Sequence, residues 1–380
     1  MSVLLPGSTL AVLGGGQLGR MLALEARRMG YSIGVLDPDG KGPAAQVADF
    51  NLPAAFDDQR AAVELAARAD VVTVETELIP HRLLEQLETI KPVRPASTVL
   101  RIIQDKSTQK DFLQAHGFPL PPYATITDQA SLVAATRSAS FPAILKRCRS
   151  GYDGKGQVRV EHPADLANAW ESLDCDSSVL EAFIAFDKEI SVLLARNPQG
   201  EVAVYPVAEN VHRQHILHTT QAPASIAESV AQRAIALATG IALALDYCGV
   251  MAVEMFLLPD ATLLVNEIAP RTHNSGHYTF GACVTSQFEQ HLRAICGLRL
   301  GPPTLLCPVV MVNLLGDLWQ SGAPPWEYAL EHPQVRLHLY GKATARPGRK
   351  MGHLLLLNQP PADSLRLAER ILARLARRTA

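Results

Sequence analysis

A short apolar strand, Thr9 to Leu13, runs into three consecutive glycines and then into a helix with apolar residues at helical spacing. No other feature restricts the possible folds as strongly. The helix carries Leu18, Met21, Leu22, Ala26 and Met29, and Gly30 stops it. Further apolar strands at 31–36 and 70–75 follow, the second after a helical stretch at 61–69. Short apolar strands alternating with helices imply a parallel sheet covered on both faces. The turn reads Gly14-x-Gly16-x-x-Gly19, with Asp37 closing the next strand. Such a turn brings backbone N–H groups and a helix N-terminus up to phosphate oxygens. Taken alone it admits a nicotinamide dinucleotide, a monophosphate, or simple packing of helix on strand.

The rest of the chain is organised differently. From about 106 to 186 the reading is a helix at 107–116, a strand at 143–147, a glycine-rich loop and a strand at 178–182. From about 187 strands dominate, at 189–195, 202–207, 249–257 and 262–268, with one long helix over 225–239. Strands near 308–315, 335–340 and 353–357 precede a terminal amphipathic helix. The fold class is α/β, becoming α+β in the later domains. The divisions are 1–105, 106–186 and 187–380, with a small β-rich segment from about 307.

Bulk properties exclude several classes of function. With 35 basic against 37 acidic residues the net charge is -2, so no basic excess calls for nucleic acid. No run reaches the ~18 apolar residues of a membrane span, and the N-terminus lacks the basic region of a signal peptide. Six scattered cysteines with no CxxC pair fit a reduced, cytoplasmic compartment.

Four constellations carry chemistry. Ser150 to Gln157 places three glycines around Lys155, a loop able to lay N–H groups over phosphates, or merely a charged hairpin turn. Lys146 on the preceding strand adds a point charge. The segments 250–257 and 263–268 form a hairpin; with a four-residue loop at 259–262, Leu258 pairs with Leu263 and Glu254 faces Glu267. Facing carboxylates repel unless protonated or bridged by a cation, and oxygen-only ligands suit magnesium. The bland alternative pairs one glutamate with an arginine such as Arg271. Directly after the hairpin, Arg271, His273 and Asn274 cluster at a strand end, where a polar substrate would be bound. Lys342, Arg349 and Lys350 concentrate cations that are either a solvated turn or a phosphate anchor.

The succession GGGQLGRM (14–21), SGYDGKGQ (150–157), NEIAPRTHNSGH (266–277) and RPGRKMGH (346–353) resembles the N5-carboxyaminoimidazole ribonucleotide synthetase family nearly end to end. The resemblance implies an ATP-grasp fold with an N-terminal Rossmann-like domain, a lid and a C-terminal mainly antiparallel domain, assembled as a homodimer. It also implies that ATP and Mg2+ are used to carboxylate the exocyclic amine of 5-aminoimidazole ribonucleotide with bicarbonate, through carboxyphosphate.

Carried over by position, the ATP contacts are Lys106, Lys146, Gly151, Tyr152, Asp153, Gly154, Lys155, Gly156 and Gln157. The adenine is met by the backbone of Glu181, Ala182, Phe183 and Ile184, the ribose by Glu189, with His212 nearby. Glu254 and Glu267, beside Asn266, hold the metal. Gln17, Leu18, Glu75, Tyr152, His273, Asn274, Lys342, Arg349 and Lys350 form the ribonucleotide site. Arg271, His273, Asn274 and Lys342 do the chemistry, His273 also being a candidate acceptor of the amine's proton. Many members carry arginine where Lys106 stands, and lysine keeps the charge but loses the fork. Two rivals are a formate-dependent glycinamide ribonucleotide transformylase and an NAD-dependent oxidoreductase, the latter leaving the glutamate pair unexplained.

Overall fold

Strand Thr9–Leu13 pairs in parallel with Ser32–Asp37 on one side and Val71–Val74 on the other, and Phe50–Pro53 completes the sheet outside Ser32–Asp37. Alternate residues feed two cores. Leu10 and Val12 pack with Leu18, Met21 and Leu22 of helix Gln17–Arg28. Ala11 and Leu13 pack with Ala62, Leu65, Leu83 and Leu84 of helices Gln59–Ala67 and His81–Glu88. A strand buried on both faces must be apolar throughout, hence the run TLAVL. Each large side chain so buried contributes about 1.5–3 kcal/mol relative to exposure. The computed structural model describes residues 3–149, 151 and 156–376.

The second sheet is antiparallel, in the order Tyr123–Ile126, Ser178–Ala182, Ala143–Arg147, Gln157–Val160. Helices Gln129–Ser138 and Leu166–Leu173 cover it through Leu132, Ala135, Leu166 and Leu173.

The third sheet has nine strands. Its path runs Leu263–Ala269, Gly249–Leu257, Lys188–Arg196, Ala208–Arg213, Ile216–Ala222, Val309–Leu315, Lys350–Leu357, Val335–Leu339, with Val202–Val204 pairing Lys188–Arg196. The C-terminal strands therefore continue the central sheet, through the pairing of Ile216–Ala222 with Val309–Leu315. The bridging strands Ala208–Arg213 and Ile216–Ala222 have no counterpart in the sequence reading. Their inward positions include Asn210, Thr219 and Thr220, which are buried yet polar, so the apolar alternation that marks a strand is missing. The long helix expected at 225–239 occupies Glu228–Ala244. Among the described residues no helix is long and apolar enough to cross a membrane.

Candidate active site

The first glycine turn is closed by the protein's own carboxylates. Glu75, just past the end of Val71–Val74, accepts the N–H groups of Leu18 and Gly19 at 3.1 and 3.4 Å. A Cβ on Gly16 would stand 2.5 Å from Glu75 Oε1, so glycine is needed to admit that carboxylate. Asp37 takes the Gly15 N–H at 2.7 Å. The anion that the helix N-terminus favours is thus supplied internally. A dinucleotide pyrophosphate would meet two carboxylates in its place, which excludes the NAD reading. Burial raises the Glu75 carboxyl, and Arg271 with the Gly19 and Gly16 N–H groups opposes the rise.

A lysine cluster lies where the second sheet meets helix Lys106–Ala115. Asp105 caps that helix by accepting the Ser107 and Thr108 N–H groups. One turn apart on it, Lys106 and Lys110 share a face. Lys106 Nζ lies 3.1 Å from Glu267 Oε1, while Lys110 Nζ lies 3.2 Å from Glu181 Oε1. Lys146 Nζ donates to Glu181 Oε2 at 3.0 Å. Burial alone would raise the Glu181 carboxyl, but Lys146, Lys110 and Lys106 outweigh it and hold it at about 2. The Ala182 and Phe183 N–H groups are taken by the Pro122 and Pro142 carbonyls at 2.9 and 3.0 Å. Nearby, His212 Nδ1 lies 2.6 Å from Glu189 Oε2, and although burial opposes it Glu189 keeps the imidazole above its ordinary value. Gln157 Nε2 reaches His215 Nδ1 at 3.2 Å. Gly151 and Gly156 flank the loop, and Gly156 has φ +75°. Ser150, Tyr152, Asp153, Gly154 and Lys155 lie outside the described residues.

The glutamate hairpin pairs Glu254 with Glu267, by a different route from the one the sequence suggests. The loop holds three residues, not four: Leu258 N–H donates to Thr262 O, and Ala261 sits at φ +66°. Leu257, not Leu258, therefore opposes Leu263, and a β-bulge between Glu254 and Met255 restores the count by leaving Asn266 unpaired. Asn266 Oδ1 is buried without a hydrogen-bond partner among the described residues. Burial pushes the Glu254 carboxyl up to about 7, with Glu267 and Glu189 adding to the rise and His212 and Lys350 opposing it. Burial would raise Glu267 too, but Lys106 and Lys146 hold it below the usual range. Neither glutamate pairs with Arg271, whose Nε donates to Glu77 at 2.9 Å. The basic groups paired with them are Lys106 on Glu267 and, 3.4 Å from Glu254 Oε1, the Nε2 of His273.

Beyond the hairpin the loop is held rigidly. Gln287 accepts the His273 N–H and donates to its carbonyl, each at 2.8 Å. His273 Nδ1 accepts from the Ser275 N–H and meets Ser275 Oγ at 2.8 Å. Ser275 Oγ in turn accepts from Ser191, and Ser191 from Asn210. Burial and then Arg271 keep the ring well below its ordinary pKa, so it is neutral. With Nδ1 accepting, the proton sits on Nε2, facing Glu254. As placed, the ring presents Nε2 toward Glu254, 3.4 Å from its Oε1. The Asn274 amide exchanges hydrogen bonds with Asn313 at 3.1 and 2.7 Å.

Lys342 Nζ donates to Gln17 Oε1 and Lys350 O, both at 2.6 Å, tying the C-terminal turn to the start of the first helix. Arg349 donates to Thr344 O at 2.8 Å. Leu18 buries its side chain in the core and offers the site only its backbone. The structure thus brings Gln17, Lys342 and Lys350 together at one end, Lys106, Lys146, Glu181 and Glu267 at the other, and Glu254 with His273 between them. Lys110, Glu77 and Asn313 are missing from the sequence reading. Only Lys110 has a sequence signal, its i,i+4 spacing from Lys106.

Three family models match in succession: a ribonucleotide synthetase preATP-grasp domain over residues 8–104, an ATP-grasp domain over 111–288, and a phosphoribosylaminoimidazole carboxylase C-terminal domain over 309–366. The chain is 41% identical to an N5-carboxyaminoimidazole ribonucleotide synthase of Bacillus subtilis strain 168, across 94% of this chain and 93% of that one. It is 45% identical to a Brucella melitensis protein of the same name, across 92% and 96%. Among solved structures, an ADP complex of an N5-carboxyaminoimidazole ribonucleotide synthetase superposes with TM-score 0.93 at 44% identity, covering 97% of each chain. A synthase from Aspergillus clavatus, in complex with ADP and 5-aminoimidazole ribonucleotide, gives 0.88 at 33% identity, covering 97% of this chain and 98% of that one.

Proposed function

Because this chain belongs to the N5-carboxyaminoimidazole ribonucleotide synthetase family of ATP-grasp ligases, we propose a division of labour among its residues for that family's reaction. The protein is an ADP-forming ligase that carboxylates the exocyclic amine of 5-aminoimidazole ribonucleotide, at the expense of ATP and with bicarbonate, in purine biosynthesis. One observation carries the assignment of roles. The Glu254/Glu267 hairpin spans the two halves of the site, Glu267 against Lys106 and Glu254 against His273.

The ATP phosphates lie over Lys106 and Lys146. With the Ala182 and Phe183 N–H groups already engaged, the adenine edge is read by the carbonyls of this segment and by Ile184. Glu189, oriented by His212, takes the ribose hydroxyls. Glu254, Glu267 and Asn266 fit magnesium: two carboxylates, one of them short of positive charge, beside a buried amide oxygen with no partner among the described residues. Among the described residues no cluster of three His, Cys, Asp or Glu surrounds the pair, and phosphate and water oxygens would complete the ligand set. Magnesium supplies charge neutralisation on the transferring phosphoryl group.

Bicarbonate is a poor electrophile because its negative charge masks the carbon. Phosphoryl transfer to it gives carboxyphosphate, whose loss of phosphate releases carbon dioxide beside the amine. Arg271, fixed by Glu77, and the Nε2–H of neutral His273 are the donors for that anion. Asn274, locked on Asn313, braces the loop. Gln17, Glu75, Lys342, Arg349 and Lys350 bind the ribonucleotide, Lys342 bridging the N-terminal helix and the C-terminal turn. The working unit is a homodimer in the cytoplasm, the six scattered thiols suiting a reducing compartment.

The test is ADP release by the purified protein with each substrate pair. Release that requires 5-aminoimidazole ribonucleotide and bicarbonate is expected; release that requires glycinamide ribonucleotide and formate instead would refute the assignment.

A further inference from the structure

Lys110 is the least accessible cation of the lysine cluster. Its side chain is 3% exposed, against 17% for Lys146 and 19% for Lys106. It lies beneath the Tyr123 ring, 5.7 Å from the centroid, and cannot reach a ligand in the cleft. Its one close anionic partner among the described residues is Glu181, which is itself 5% exposed. The two oxygens of that carboxylate are divided: Oε1 faces Lys110 and Oε2 accepts from Lys146. Backbone register dictates the division. Glu181 is paired with Ile144 in the second sheet, so Lys146, two residues along the same strand, is its diagonal neighbour. Lys110 approaches from the helix on the other side.

A buried carboxylate must keep a counter-charge, because an uncompensated buried charge is strongly unfavourable. If Lys146 were the only cation on Glu181, turning its ammonium toward a nucleotide would strand that carboxylate, and the carboxylate would hold it back. With Lys110 on the second oxygen, Glu181 stays compensated while Lys146 leaves. Within the cluster itself, the three lysines Lys106, Lys110 and Lys146 face the two carboxylates Glu181 and Glu267.

We propose that Lys110 is a positioning residue, the permanent counter-ion of Glu181 that frees Lys146 to bind the nucleotide phosphates. This rests on the reading that Lys146 contacts ATP. Calorimetric titration with ATP and steady-state kinetics on the full chain test it. Lys110→Met weakens ATP binding tenfold or more and raises the KM for ATP, leaving the KM for the ribonucleotide unchanged. Adding Glu181→Gln to Lys110→Met returns the ATP affinity to within threefold of Glu181→Gln alone, since no buried carboxylate is left to retain Lys146. A general loss of structure would not be rescued in this way. If Lys110→Met alone does not fold, the comparison of the double variant with Glu181→Gln still decides, because a further tenfold loss there overturns the proposal. Lys146→Met separates the two levels. Affinity lost in Lys146→Met but kept in Lys110→Met overturns the role of Lys110 alone, whereas affinity kept in both overturns the reading beneath it.

Discussion

Glu181 and Glu254 are both largely buried glutamates on neighbouring sheets, and their surroundings drive them in opposite directions. Glu181 has a lysine on each oxygen and is held at about 2. Glu254 faces another carboxylate across the hairpin, has the neutral His273 imidazole beside it, and is pushed by burial up to about 7 against the opposition of His212 and Lys350. A carboxylate whose charge is balanced within the protein is scaffolding. One left short of positive charge is where a cation from outside is worth most.

The sharpest way to break this contrast is to remove the unbalanced pair. Glu267→Ala and Glu254→Gln should each lower ATP turnover by on the order of a thousandfold, as expected when a metal that stabilises phosphoryl transfer is lost. Glu254→Gln should not lower the Tm of the metal-free protein, because Glu254 opposes folding when charged. Retained turnover would place the metal elsewhere. Glu181→Ala should do the reverse. It leaves Lys110 without its counter-ion, and urea unfolding should show a loss of about 3 kcal/mol; an unchanged midpoint would mean that the cluster is not integral to the fold.

Smaller effects follow at the far end of the site. Arg349→Ala should cost about 1–3 kcal/mol in binding of the ribonucleotide, the worth of a charged hydrogen bond. The KM for ribonucleotide should rise while that for ATP stays put. An equal rise in both would remove Arg349 from the phosphate anchor. The pH dependence of stability offers the finest discrimination. The Glu181 carboxyl is depressed, so its contribution is complete above its ordinary value of 4.5 and is lost as pH falls toward 2. The Glu254 carboxyl is raised, so its contribution is complete below 4.5 and is lost as pH rises through about 7. Glu181→Gln should therefore flatten the acid limb of the metal-free stability profile, and Glu254→Gln the slope between 4.5 and 7. If each substitution flattens the other's limb, the contrast is wrong.

The sequence is informative where a pattern is local. The strand–glycine–helix start needs apolar residues in one stretch of chain, and the parallel sheet follows from it. The glutamate pairing depends on register, and there two departures cancelled. A three-residue loop shifted the hairpin by one, and the bulge at Asn266 shifted it back. Neither is visible in the residue types, since Pro259-Asp260-Ala261 also suits a longer turn.

What brings distant segments together was not legible. Nothing in the run of residues near Glu77 announces that it fixes Arg271, 194 positions away. The internal carboxylate in the glycine turn was hidden for the same reason, because Glu75 reaches Leu18 only through the parallel pairing of strands far apart in sequence. Strands Ala208–Arg213 and Ile216–Ala222 join the central sheet to the C-terminal strands through buried polar residues, which look like loop until their hydrogen bonds are seen.

Activation of bicarbonate by phosphorylation is tested most directly with freshly prepared 18O-labelled bicarbonate, supplied with ATP and 5-aminoimidazole ribonucleotide, by mass analysis of the phosphate released in a single turnover. One bicarbonate oxygen is expected in that phosphate, carried there through carboxyphosphate. Phosphate carrying oxygen only from ATP and water would contradict it.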